Sequence, residues 1–109
     1  MAGNQNRLDV KWTKTAEKQF FRILDYWIER NKSIEYADKL TVIVWERIEF
    51  IANNPLASVL TSYPNTRRAS LGHYSLFYKV SKTKVIITSF WDNRQDPKKL
   101  YKNLMEDDS

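Results

Sequence analysis

Ile34-Glu-Tyr-Ala-Asp-Lys-Leu-Thr41-Val-Ile-Val-Trp45-Glu-Arg-Ile-Glu-Phe-Ile-Ala52 contains two competing signals. Its centre, Thr41-Val-Ile-Val-Trp45, is rich in β-branched residues and taken alone has the composition of a strand. Across that centre, however, Ala37, Leu40, Val44, Ile48 and Ile51 recur at the three- and four-residue spacing of one helix face, and the period is unbroken from Ile34 to Ala52. The longer pattern decides for a helix. Ser33 stands where it can cap that helix, with Glu35 in a first turn that favours negative charge. Asn53-Asn-Pro55 stops it, since the residue before a proline is biased out of the helical region. Tyr36, Ile43 and Phe50 form a second apolar side, and Trp45 lies outside the main stripe. A helix apolar on more than one side is either deeply buried or has a partner on its far side; both readings stay open.

Upstream, Leu8-Asp-Val-Lys-Trp12 alternates with the period of a half-buried strand. Thr13 is an N-cap residue, and Ala16, Phe20, Ile23, Leu24, Trp27 and Ile28 mark one face of a helix ending near Asn31. The turn between the two helices is so short that they must form an antiparallel hairpin. Downstream, Leu56 to Asn65 reads as a loop. Three strands follow, Thr66 to Leu71, Tyr74 to Val80 and Lys84 to Trp91, separated by Gly72 and by Ser81-Lys-Thr83. Asp96-Pro97 combines a good N-cap with the residue favoured at the first helical position, so a last short helix runs through Lys98 to Leu104. The expected fold is α+β: an N-terminal strand and a helical hairpin packed on a mainly antiparallel sheet of about four strands, closed by a short C-terminal helix.

The 109 residues suffice for one domain, 1–109, with 1–6 and 105–109 expected to be disordered tails. There is no apolar run of membrane-spanning length and the start is polar, so a cytoplasmic location is expected, with no membrane partner. Cysteine is absent and His73 is the single histidine, which excludes disulfides, cysteine zinc sites and paired-histidine metal sites. No cofactor is expected, and no carboxylate cluster has magnesium-site spacing. Eighteen Lys and Arg oppose thirteen acids, three of which crowd into the last four positions. The body is therefore more basic than the total, a balance suited to anionic partners such as nucleic acid or an acidic peptide and equally to a merely soluble basic protein.

The element order, carried by Trp12-Thr13 with Ala16, Asn54-Pro55, Arg67-Arg68, Gly72-His-Tyr74 with Phe77-Tyr78, and Phe90-Trp-Asp-Asn-Arg94-Gln-Asp-Pro97, resembles the RelE/ParE toxin superfamily of type II toxin–antitoxin systems. The resemblance runs from Val10 to about Leu104. It implies a toxin silenced by a cognate antitoxin protein that wraps its basic surface. It also implies one of two actions: metal-free cleavage of messenger RNA in the ribosomal decoding site, or binding of DNA gyrase without any cleavage of RNA.

Cleavage of RNA needs a base for the 2′-OH, a cation for the phosphorane and an acid for the leaving oxygen. The candidates are Arg67, Arg68, His73, Lys79 and Arg94. Arg67 and Arg68 are adjacent on a strand, so only one can enter a shared site. Lys79 shares the parity of Ser75 and Phe77. Histidine as a residue type can act as acid or base near neutrality, but His73 sits in a turn, where a surface role is the commoner one. Arg94 stands two residues from Asp92, a spacing that equally permits a local ion pair. Tyr101 loosely matches a C-terminal tyrosine of the resembling nucleases, although packing on the sheet explains it more simply. Those nucleases, and many other members of the superfamily, follow the glycine-tyrosine pair with an arginine, where this chain has Ser75. The leading expectation is nevertheless a ribosome-dependent endoribonuclease acting on messenger RNA. A non-catalytic gyrase inhibitor is the alternative, and an inactive interaction module of the same fold is the third reading.

Overall fold

The computed structural model describes residues 7–106. The terminal segments 1–6 and 107–109, which include most of the expected tails, lie outside the described residues. Strand β1 (Asp9–Trp12) leads into α1 (Lys14–Asn31) and α2 (Glu35–Asn53). Strands β2 (Val59–Leu60), β3 (Arg67–Leu71), β4 (Tyr74–Val80) and β5 (Lys84–Asp92) follow, and α3 (Pro97–Glu106) closes the chain. The sheet order is β1-β5-β4-β3-β2, antiparallel except for the β1–β5 pair. It has five strands because two residues of the segment read as a loop, Val59 and Leu60, pair with Arg68 and Arg67 at the outer edge. Both are exposed and so short a strand leaves no periodic trace.

Local chemistry sets the element ends. Thr13 has extended backbone and its Oγ1 accepts the Ala16 amide. The same hydroxyl donates to the Ile87 carbonyl, which fixes the start of α1 against β5. Ser33 Oγ accepts the Glu35 amide, although Ile34, in helical conformation, is the residue at the cap position of α2. Residues 41–45 are helical, as the flanking period requires. Gly72 holds a φ of 63° at the first central position of the two-residue β3–β4 turn, where a type II′ hairpin takes glycine. At α3, Asp96 Oδ1 accepts the Lys98 amide and Pro97 opens the helix.

The hairpin covers one sheet face. Leu40, Val44, Ile48 and Ile51 of α2, with Ala16 and Phe20 of α1, pack on Leu76, Tyr78, Val85, Ile87 and Phe90. Residues of alternate parity on β4 and β5 point the other way. There Phe77 and Trp91 meet Leu100 and Leu104 of α3, with Tyr63 at the side. The sheet is therefore covered on both faces, by a large core beneath the hairpin and a small one beneath α3. No helix among the described residues is long and apolar enough to cross a membrane.

Candidate functional site

Strand alternation divides the two adjacent arginines. Arg67 stands opposite Tyr78 on the hairpin side, and its Nη1 donates to the Leu56 and Ser58 carbonyls at 3.2 and 2.8 Å. Tyr78 Oη donates to the Pro55 carbonyl nearby, so the two side chains together hold the segment that leaves α2. Arg68 stands opposite Phe77 on the α3 side, where its Nε donates to Ser75 Oγ at 2.9 Å. Ser75 is fully buried and donates onward to Asn93 Oδ1 at 2.7 Å. The position at which the resembling nucleases carry an arginine is thus the sealed centre of a polar chain linking β3, β4 and the segment after β5.

His73 is exposed in the β3–β4 turn, where its carbonyl accepts the Asn93 amide. Lys79 is half-buried on the α3 side with the parity of Phe77. Arg94 forms a two-pronged pair with Asp92, Nε to Oδ1 at 2.9 Å and Nη2 to Oδ2 at 2.8 Å. The guanidinium holds the Asp92 carboxyl below its ordinary range despite partial burial, and the Arg94 amide adds a further bond to Oδ1. Tyr101 is exposed and tilts against Tyr63 instead of packing on the sheet. The five predicted side chains are spread over both faces and the turns of the sheet, so they do not converge on one centre. Among the described residues no group of three or more acids and histidines is placed to hold a metal.

Two surfaces stand out instead. One is the outer side of α2, where Tyr36, Val42, Ile43, Trp45 and Phe50 are all exposed. Of the two explanations for its second apolar side, deep burial is excluded. Tyr36, Ile43 and Phe50 repeat every seven residues along this helix, a narrow stripe of the kind a second helix fills.

The other is a cleft of about 890 Å³ between α1 and α3 at the Asp92 end of β5. Strand β1 pairs only with Lys84 to Ile87, which leaves the far half of β5 without a strand neighbour on that side. Gln19 of α1 takes the neighbour's place: its Oε1 accepts the Phe90 amide at 2.9 Å and the Ser89 hydroxyl at 3.0 Å. Its Nε2 donates to Asn103 of α3 at 2.8 Å, so one side chain ties α1, β5 and α3 together under the cleft. Tyr74, Phe90 and Trp91 form the buried floor. Trp27 Nε1 donates to Tyr74 Oη at 2.8 Å; burial nevertheless raises the Tyr74 pKa above its ordinary value. Sequence reasoning passed over this cleft, although Lys18, Arg22, Tyr26 and Arg30 recur every fourth residue of α1 and were available as a signal.

The α+β arrangement, with hairpin, mixed sheet and closing helix, is the RelE/ParE architecture. Residues 10–97 match the family model of the ParE toxin of the type II toxin–antitoxin system parDE, and the chain belongs to that family. No curated protein matches the sequence. Among solved structures, the chain is similar to one from a chromosomal ParDE toxin–antitoxin system of P. aeruginosa, at 20% identity and a TM-score of 0.66. The match covers 78% of this chain and 95% of that one, a likeness of fold.

These findings correct the leading expectation. The endoribonuclease reading, with its ribosome and messenger RNA partners, drew on the wider superfamily, whereas the match falls on its ParE branch. The physical reason agrees with the correction. The sheet face away from the hairpin is filled by Phe77, Trp91, Leu100 and Leu104, and the Ser75 hydroxyl there is buried between Arg68 and Asn93.

Proposed function

We propose that this chain is the toxin of a ParDE-type pair and that it arrests growth by binding DNA gyrase in the cytoplasm, without catalysis. The observation that carries the reading is the ParE match over residues 10–97, joined to a sheet face that α3 occupies. A binder needs a stable surface rather than an acid, a base and a cation around one phosphate. The cognate antitoxin covers the exposed stripe of Tyr36, Ile43 and Phe50 with an amphipathic, partly acidic helix laid along α2.

Supercoiling by purified gyrase tests the reading. Excess toxin is expected to inhibit it, and added antitoxin to restore it; normal supercoiling with excess folded toxin sinks the proposal. In cells, induced expression should stop thymidine incorporation before amino-acid incorporation. The opposite order would point away from gyrase, and harmless expression of folded protein would favour an inactive interaction module.

A further inference from the structure

The cleft between α1 and α3 has a polar rim whose charge is nearly all of one sign. Lys18, Arg22 and Arg30 of α1, Arg94 after β5 and Lys99 of α3 line it, against Asp92 as the single acid. Asp92 is already engaged by Arg94. Among the described residues the other four cations take part in no ion pair. The acids Asp25 and Glu29 of α1 are outside the lining, and Glu29 is paired with Lys32. A group of like charges held together without partners costs stability, so its persistence around a concave surface points to a ligand that supplies the opposite charge.

The arrangement of the charges restricts the ligand. Lys18, Arg22, Tyr26 and Arg30 follow one another at four-residue steps, a line of roughly 18 Å along α1 at the helical rise. A regular line of cations suits a polymer with regularly repeated anions, and a phosphodiester strand carries one charge per nucleotide. Guanidinium groups match phosphate oxygens in a two-pronged geometry. The lining also offers aromatic rings, Tyr26 exposed at the rim and Trp27 half-buried beside it. Cationic grooves with aromatic platforms hold single strands, whose bases are free to stack, whereas paired bases in a duplex are not.

We infer that the α1–α3 cleft is a binding site for single-stranded DNA, with Lys18, Arg22, Arg30 and Lys99 on the phosphates and Tyr26 and Trp27 against the bases. The choice of DNA over RNA rests on the gyrase reading, since the substrate of that enzyme is DNA; the single-strand assignment rests on the charge and aromatic argument and does not depend on it.

The test is fluorescence anisotropy of a labelled oligothymidylate of about 12 nucleotides with the full chain and no gyrase present. Four phosphate contacts predict a slope of log affinity against log salt of about −3, hence about a 50-fold loss between 50 and 200 mM salt. Arg22→Ala with Arg30→Ala, both exposed, should halve that slope. Lys82→Ala with Lys84→Ala, at the opposite end of β5, should leave it unchanged. Absence of binding at 50 mM salt, or a slope indifferent to the Arg22 and Arg30 substitutions, overturns the site. Equal binding of a duplex overturns the single-strand assignment, and tighter binding of oligouridylate overturns the choice of DNA. Displacement by polyglutamate at equal charge identifies an acidic peptide as the occupant and overturns the proposal. Because gyrase is absent, failure here leaves its inhibition to be judged by supercoiling alone.

Discussion

The two faces of the sheet are built differently. Beneath the hairpin, two helices of 18 and 19 residues bury an apolar layer that includes Leu76, Ile87 and Val85, each with no exposed surface. Beneath α3, a helix of 10 residues presents only Leu100 and Leu104, and the layer is interrupted by the buried hydroxyls of Ser75 and Ser89. Hydrophobic area supplies most of the stability, so the hairpin face holds the fold together. Hydrogen bonds with directional partners govern the α3 face. Ser75 serves Arg68 and Asn93, and Gln19 reaches from one face's helix to the other's. The hairpin face rests mainly on apolar burial, with bonds such as Thr13 to Ile87 and Tyr78 to Pro55 at its borders; the smaller face depends more on individual polar atoms meeting.

Substitutions can break this contrast. Leu76→Ala empties the centre of the larger core and should cost about 2–5 kcal/mol in denaturant unfolding. Leu104→Ala should cost about 2 kcal/mol, at the bottom of the same range, because the short helix can fray instead of preserving a cavity. Amide hydrogen exchange should then accelerate in α3 while β4 and β5 stay protected. A cost equal to that of Leu76→Ala, with uniform loss of protection, would show that the faces are one cooperative unit. Gln19→Ala leaves the Phe90 amide without its acceptor and should cost about 1–2 kcal/mol. A neutral result would mean that the polar tie between the faces carries no weight.

The smallest effect concerns pH. Glu49 on α2 accepts two bonds from Arg7, and these hold its pKa at about 2, below the ordinary 4.5. A carboxyl whose folded value is depressed stabilises the fold above its unfolded value and loses that contribution as pH falls through the folded one. Acid titration of unfolding should therefore show wild type losing stability between about pH 4.5 and about pH 2 relative to Glu49→Gln. Parallel curves across that window would remove the Arg7 pair from the account.

Local patterns made most of the fold legible. The period through Ile34 to Ala52 identified α2 despite its β-branched centre, Asp96-Pro97 located α3, and strand parity separated Arg67 from Arg68. What escaped depends on contacts remote in sequence. Nothing in Leu8 to Trp12 says that this strand lies parallel beside β5, and two residues at β2 are too few for a pattern. Parity placed Ser75, Phe77 and Lys79 together but did not reveal that α3 would cover their face. That required knowing that Leu100 and Leu104 land on Phe77 and Trp91. The cleft was only half legible, because the stripe on α1 is local whereas Arg94 and Lys99 arrive from the far end of the chain.

The parallel pairing of β1 with β5 bears on the order in which the molecule can assemble. Thr13 bonds to Ile87, 74 positions along the chain, so β1 has no edge to join until β5 has been made. Closing so long a loop delays folding much more than it weakens the finished protein. During synthesis the helical hairpin emerges first, with the apolar side that will meet the sheet still uncovered. Pairing of β1 in this ParE-family chain therefore waits on residues 74 positions further along.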